Sequence, residues 1–206
     1  MLPDEKFVNF YIEWFYGSLG SLLNERSWGR DLGCPARFFL PAGKVALLPS
    51  YYGEWMALRK PVFQSVNVYR RGPMSGVLVT IEKIFADIDA PNPDKALEAE
   101  KKVFEHLCEY GRPLVVFSGR KGYHNYLWLP VAATGEPVFL KTLYKEILVA
   151  IRLDRLAREV PFIDKRVFEA ARISRVPFTI HEKSGNLVQP LEEWKLLLID
   201  FSPLSE

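Results

Sequence analysis

Apolar positions along the chain fall first at helical spacing, then in short strand-like runs, then alternate between the two periods. Over residues 4 to about 23, Phe7, Val8, Phe10, Tyr11, Trp14, Phe15, Leu19 and Leu22 recur close to every 3.6 residues. This predicts an amphipathic helix with an aromatic stripe facing the core, weakened in its second half by Gly17 and Gly20. Residues 28–76 are instead rich in Pro, Gly and aromatics. Apolar runs at 36–40, 45–48, 62–69 and 77–80 read there as short strands joined by turns.

Residues 84–90 alternate cleanly. In a strand, Ile84, Ala86, Ile88 and Ala90 share one face, and Phe85, Asp87 and Asp89 share the other. The small apolar face suits packing on helices, which leaves both carboxylates pointing the same way on the opposite face. Pro91 and Pro93 end the strand. Asp94 is then expected to cap a helix to about Tyr110, closed by Gly111, with Leu97, Val103, Phe104, Leu107 and Cys108 as its stripe. His106 lies beside that stripe and reads as structural. Residues 114–118 and 123–129 form two strands joined by Gly119-Arg120-Lys121-Gly122, a hairpin by loop length and glycine content. Helical spacing returns over 137–159, residues 162–164 read as extended, and 172–191 as strand, Lys-Ser-Gly-Asn turn and strand. A short helix is expected from Glu192.

Composition adds mainly exclusions. The chain has 206 residues, 49% hydrophobic and 25% charged, enough for one substantial core or two lobes sharing a cleft. No apolar run approaches the ~20 residues of a membrane span. The N-terminus has acids and no basic leader, so the cell interior and no membrane partner are expected. Cys34 and Cys108, with His106, His124 and His181, cannot supply a four-ligand Cys/His site. No structural zinc is expected, and both thiols read as buried. A net charge of +2 is too small to imply a nucleic-acid partner by itself. Arg37, Arg59, Lys60, Arg70 and Arg71 are either solvated surface or, with Tyr51, Tyr52 and Tyr69, the lining of a strand-binding groove.

The candidate chemistry sits in four places. Two carboxylates on one strand face can bridge a pair of Mg²⁺ or Mn²⁺ ions about 3.5–4 Å apart. An Asp-x-Asp alone is a weak signal, since solvated turns contain it, but acids inside an Ile/Ala strand are not an ordinary turn. Asp164, following Phe162 and Ile163 as if at a strand end, is the best third acid; it would serve equally as an N-cap for a short helix over 165–171. The run from Ser118 through Gly119, Arg120, Lys121 and Gly122 to His124 suits phosphate, because its glycines admit backbone N–H groups to an anion and its side chains add donors. It lacks the Walker spacing, and as a lone motif it is also a common polar turn. Arg175 and His181 form a second basic pair.

In order, these four blocks resemble the archaeo-eukaryotic primase superfamily: Asp-x-Asp, then Ser-Gly-Arg-Lys-Gly-Tyr-His, then a lone Asp, then Arg-x-Pro-Phe-Thr-x-His-x-Lys-x-Gly. The resemblance covers about residues 85–190. It implies an α+β fold, with an RRM-like antiparallel catalytic sheet and packing helices joined to an N-terminal α/β unit. It also implies a single primase-polymerase core over 1–206, with lobes at about 1–80 and 81–206. The activity implied is DNA-templated nucleotidyl transfer that makes or extends RNA or DNA primers, on a single-stranded DNA template with NTP or dNTP. By the same resemblance, Asp87, Asp89 and Asp164 would hold two Mg²⁺ or Mn²⁺ ions. Ser118, Arg120, His124, Arg175 and His181, with Lys121 helping, would hold the nucleotide; Arg172 and Lys183 are nearby candidates.

The chain departs from replicative small subunits in having no Cys/His knuckle, which leaves room for a large or accessory subunit. Two alternatives stand beside this reading: a non-catalytic primase-fold subunit that binds nucleic acid or nucleotide, and an end-joining-type polymerase domain. A nicking initiator on a related fold would want a His-x-His pair, which is absent.

Overall fold

The N-terminal aromatic stripe folds as α1 (Glu5–Tyr16), which buries Tyr11, Phe15 and Tyr16. The structure, a computed structural model, describes residues 5–17, 28–33, 37–58, 60–70, 78–170 and 172–191. The second half of the expected first helix, Cys34, Arg59, Arg71 and the expected C-terminal helix lie outside these residues.

The chain continues through β1 (Trp28–Gly33), β2 (Arg37–Pro41), a 3₁₀ turn (Ala42–Leu47), α2 (Leu48–Leu58), β3 (Phe63–Ser65) and β4 (Val68–Arg70). The run at 45–48 is therefore helical and not a strand. Pro49 sits in the first turn of α2, where the N–H it lacks would have no intrahelical partner. Short apolar runs do not separate strand from helix by period alone. The run at 62–69 divides into two strands. Tyr52 packs against Trp55 and Phe178 in the core, so it does not line a surface groove.

Next come β5 (Leu78–Asp89), α3 (Pro93–Cys108), β6 (Leu114–Phe117), β7 (Gly122–Gly135), α4 (Pro137–Ala150), α5 (Leu153–Glu159), β8 (Ile173–Arg175) and β9 (Gln189–Leu191). The runs at 77–80 and 84–90 thus belong to one strand. Asn92 caps α3, accepting from the Lys95 N–H at 3.0 Å, while Asp94 falls in the first turn. With Pro93 at the first helical position, the cap is two residues earlier than expected. Cys108 is exposed, outside the buried stripe of Ala96, Ala99, Val103, Phe104 and Leu107. His106 is structural, its Nε2 lying 2.6 Å from the Ile151 carbonyl. The expected helix over 137–159 is two helices, broken where Arg152 adopts a left-handed φ of 55°.

Among the described residues the strands form a nine-stranded sheet in the order β8-β3-β1-β4-β5-β7-β6-β9, with β2 on β1, and its pairings are antiparallel. β5, α3, β6 and β7 make the RRM-like unit, with β7 between β5 and β6. β1 to β4 extend the same sheet beyond β5, giving the α+β architecture expected from the sequence. One face of the sheet, with Ile84, Ala86 and Ile88, packs on α3, α4 and α5. On the other face, Phe85 and Tyr126 pack into an aromatic core with Tyr11, Phe15, Tyr52 and Phe178. The Phe178 N–H donates to the Val188 carbonyl at 2.6 Å, drawing the edge strands β8 and β9 together so that the sheet curls round this core. No helix among the described residues is long and apolar enough to cross a membrane.

Beneath β7, Glu100 of α3 is fully buried and accepts from Asn125 Nδ2 at 2.7 Å. Burial pushes this carboxyl up to about 8 from an ordinary 4.5, against the opposing pull of the Asn125 hydrogen bond. Between those two values the folded chain keeps a proton that the unfolded chain has released. This group therefore contributes stability that is full below the lower value and lost as pH rises through the upper one, at about 1.4 kcal/mol per pH unit. Urea unfolding across this window is expected to show a flatter pH profile for Glu100→Gln; equal slopes in both proteins would contradict the assignment.

Candidate active site

The alternation of β5 carries one row of side chains from the core to the open edge of the sheet. Its register on β7 pairs Lys83 with Trp128, Phe85 with Tyr126, Asp87 with His124 and Asp89 with Gly122. The first two pairs lie in or against the aromatic core. The last two emerge from it and open a cavity of about 240 Å³. Asp87, Asp89, Asp164, Ser118, Arg120, Lys121, His124, Arg175 and His181 all line this one cavity, together with Lys183. Sequence-distant segments thus bring all nine candidate residues together.

Asp164 is placed by backbone pairing. Its N–H donates to the Asp87 carbonyl at 2.8 Å, the Asp89 N–H donates to the Phe162 carbonyl at 3.0 Å, and Ile163 bridges Ile88. The segment 162–164 is therefore a short extension of the sheet beside the end of β5. Its side chain caps the 3₁₀ turn Lys165–Val167 by accepting from the Arg166 N–H, shorter than the helix over 165–171 read from the sequence, and Asp164 also lines the cavity.

Phe162 and Phe178, with φ of 78° and 63°, flank Asp164 and His181 in a region that bulky residues rarely adopt. Burial of the Phe178 ring against Tyr11 and Tyr52 is what holds the turn that bears His181.

The hairpin between β6 and β7 needs its glycines. The Ser118 N–H donates to the Gly122 carbonyl at 2.9 Å. A Cβ at Gly122 would lie 2.2 Å from the Ile88 carbonyl oxygen, and one at Gly119, with φ of 91°, would lie 2.7 Å from the Cβ of His181. Gly122→Ala must push β7 away from β5 where the acids stand. We expect a melting temperature lowered by several degrees, read by circular dichroism, since the clash is with backbone that cannot yield cheaply. An unchanged melting temperature would show that the close approach is dispensable.

The charges at the cavity are paired. Lys121 Nζ is 3.3 Å from Asp89 Oδ1, Arg175 forks onto Glu182 at 2.8 and 3.1 Å, and Arg166 forks onto Asp164 at 2.9 and 3.0 Å. Arg166 and Glu182 were not signalled by the sequence. Neither belongs to a recognisable pattern, and only the folded geometry gives them partners.

Burial, then the charges of Asp164 and Asp89, push Asp87 up to about 7, against the pull of Arg172 and Arg175. Asp164 is held below the usual carboxylate range, chiefly by its hydrogen bond from Arg166. Burial and then Arg175 depress His124 to about 3, so its imidazole is neutral near pH 7, and its 3.7 Å approach to Asp87 is not an ion pair. His181 is lowered for the same two reasons, burial first.

Three mutually repelling carboxylates are hard oxygen donors of the kind that Mg²⁺ or Mn²⁺ prefers. A cation would relieve the repulsion that raises Asp87, so the donor set fits such an ion. Among the described residues, no three His, Cys, Asp or Glu side chains converge closely enough to hold a metal as they stand. Asp164 is turned onto Arg166 instead.

No family model matches the chain, and no curated protein matches its sequence. Its fold does match solved structures. The polymerase domain of Ligase D from Mycobacterium tuberculosis, solved in complex with DNA, aligns over 90% of this chain and 81% of its own, with TM-score 0.54 and 16% identity. The AEP domain of the cyanophage S-2L primase-polymerase aligns over 95% of this chain and 97% of its own, with TM-score 0.53 and 12% identity. At such identities the likeness concerns the fold, and the fold is that of primase-polymerase domains.

Proposed function

We propose that this chain is a metal-dependent, DNA-templated nucleotidyltransferase that synthesises or extends RNA or DNA primers. The observation that carries the reading is the single cavity in which three acids and six phosphate-suited residues meet. Residues 1–206 are read as one catalytic core, with lobes at about 1–80 and 81–206. Single-stranded DNA is the template, NTP or dNTP the substrate, and a large or accessory subunit a further partner.

In this reading Asp87, Asp89 and Asp164 hold two Mg²⁺ or Mn²⁺ ions, whose chemistry is to neutralise the triphosphate and acidify a 3′-hydroxyl. Arg120, Lys121, Ser118 and the hairpin N–H groups grip the β- and γ-phosphates. His124, kept neutral by burial, serves as a hydrogen-bond donor and adds no charge. Arg175 and His181, which line the same cavity, add donors to the triphosphate. The primer 3′-oxygen forms a bond to the α-phosphorus as the bond to the departing pyrophosphate breaks, and the basic residues stabilise the charge that pyrophosphate carries away.

Incubating the protein with single-stranded DNA, labelled nucleotides and Mn²⁺ or Mg²⁺, with and without a primer, tests this. Products formed without a primer establish a primase. Extension only from a supplied 3′ end means a polymerase core that relies on a partner for initiation. That outcome also suits the second reading, an end-joining-type polymerase domain, which the fold match to the Ligase D polymerase domain keeps in view. No incorporation under either condition favours a non-catalytic subunit that binds nucleic acid or nucleotide.

A further inference from the structure

We propose that Arg166 is the positioning residue of Asp164, a built-in counter-ion that keeps this acid out of the metal site until a divalent cation displaces it. The proposal rests on the reading of Asp87, Asp89 and Asp164 as metal ligands and adds a control on how that site assembles.

Three contacts converge on one carboxylate. The Arg166 N–H and Nε each donate to Asp164 Oδ1 at 2.9 Å, and Nη2 donates to Oδ2 at 3.0 Å. Both oxygens that would face a metal are engaged. The Asp164 backbone, by contrast, is already in place, pinned to the Asp87 carbonyl and by the Ile163–Ile88 bridge. With its backbone fixed, Asp164 leaves Arg166 by rotation of its side chain.

The asymmetry of the pair makes that rotation accessible. The Asp164 side chain is 17% exposed and faces the cavity, whereas the Arg166 side chain is 87% exposed. An exposed guanidinium gains little from its partner because water competes for it, so a hard dication can displace it. Arg166 does not itself line the cavity. It acts through Asp164, setting how readily the third acid joins.

The test is Mn²⁺ binding to the nucleotide-free protein, followed by the paramagnetic resonance signal of free Mn²⁺. Arg166→Ala should bind Mn²⁺ about fivefold more tightly than the parent, the scale of an exposed pair at the upper end of its range. Arg166→Lys, which keeps the charge and loses the fork, should fall between them. In an Asp164→Asn background, Arg166→Ala should change the affinity less than about twofold. Lys165→Ala, the same charge change one residue away, should do likewise.

Unchanged or weaker binding by Arg166→Ala overturns the proposal. So does an equal gain from Lys165→Ala or in the Asp164→Asn background, because each would reduce the effect to net charge. If the parent protein binds no Mn²⁺ in a manner that depends on Asp87 and Asp164, the metal reading itself fails and this proposal falls with it.

Discussion

Nucleotide incorporation is expected to fall at least about a thousandfold when Asp87 is replaced by alanine, and to fall comparably for Asp89→Ala. The magnitude follows from what the site is asked to do. Bringing a triphosphate against a hydroxyl concentrates negative charge, and the cavity already contains Asp87, Asp89, Asp164 and Glu182. Arg120, Lys121, Arg175 and Lys183 do not offset this alone, since Lys121 is engaged by Asp89 and Arg175 by Glu182. On the proposed reading, the several kcal/mol that a bound cation supplies come through the carboxylates that would hold it.

Asp87 is the most constrained of them. Its backbone carries Asp164, its strand partner is His124, and its carboxyl is raised to about 7 by burial and two like charges. Such a group is poised to exchange a proton for a metal near neutral pH. Rapid-quench incorporation by Asp87→Ala, Asp89→Ala and the double variant, with circular dichroism to establish folding, decides the matter. A folded double variant that incorporates nucleotide at the parental rate would remove both acids from the mechanism.

How much of this site could be read from the chain depended on how local each signal was. The Asp87 and Asp89 pair was legible because a period of two over 84–90 fixes faces without any knowledge of the rest of the fold. The hairpin was legible for the same reason, since its glycines and its length are local. Asp164 looked ambiguous between a cap and a ligand, and the fold gives it a cap contact while setting its backbone against Asp87, so no choice between the two was available from sequence.

The errors lie where tertiary packing overrules local pattern. In α2, the run around Leu47 and Leu48 sits next to Pro49, and burial of Leu48, Tyr52 and Trp55 on the aromatic core decides for helix. Arg152 breaks one expected helix into two, and nothing in its neighbours' period announces it. β1 has no apolar run and is held as a strand by pairing along both edges, with β2 on one and β3 and β4 on the other. Arg166 and Glu182, the ion-pair partners of Asp164 and Arg175, gave no signal, because an ion pair across a turn has no periodicity.

The second large effect is expected far from the chemistry, at Lys83. This side chain is fully buried and paired with Glu82, and its ammonium lies 3.8 Å from the Trp128 ring centroid and 4.6 Å from that of Phe15. It therefore ties α1 to both central strands. The β5–β7 register shifts between Ile81 and Lys83, and Asn67 fixes the shift by accepting from the backbone N–H groups of Glu82 and Lys83 at 3.0 and 3.1 Å. A one-residue slip here would turn Asp87 and Asp89 onto the helix-packed face, so the acids depend on this cluster for their direction.

Lys83→Met keeps much of the side-chain volume and strips the buried Glu82 carboxylate of this cation. Removing one member of a buried pair costs about 3–5 kcal/mol, whereas replacing both members can be nearly neutral. The Glu82→Gln/Lys83→Met double variant should thus be more stable than Lys83→Met alone, read by chemical denaturation. If the losses from the two single substitutions simply add, the pair is not coupled. In that case the hold on the register belongs to Asn67 and the aromatic packing, and Asp87 keeps its orientation without any contribution from the buried charge.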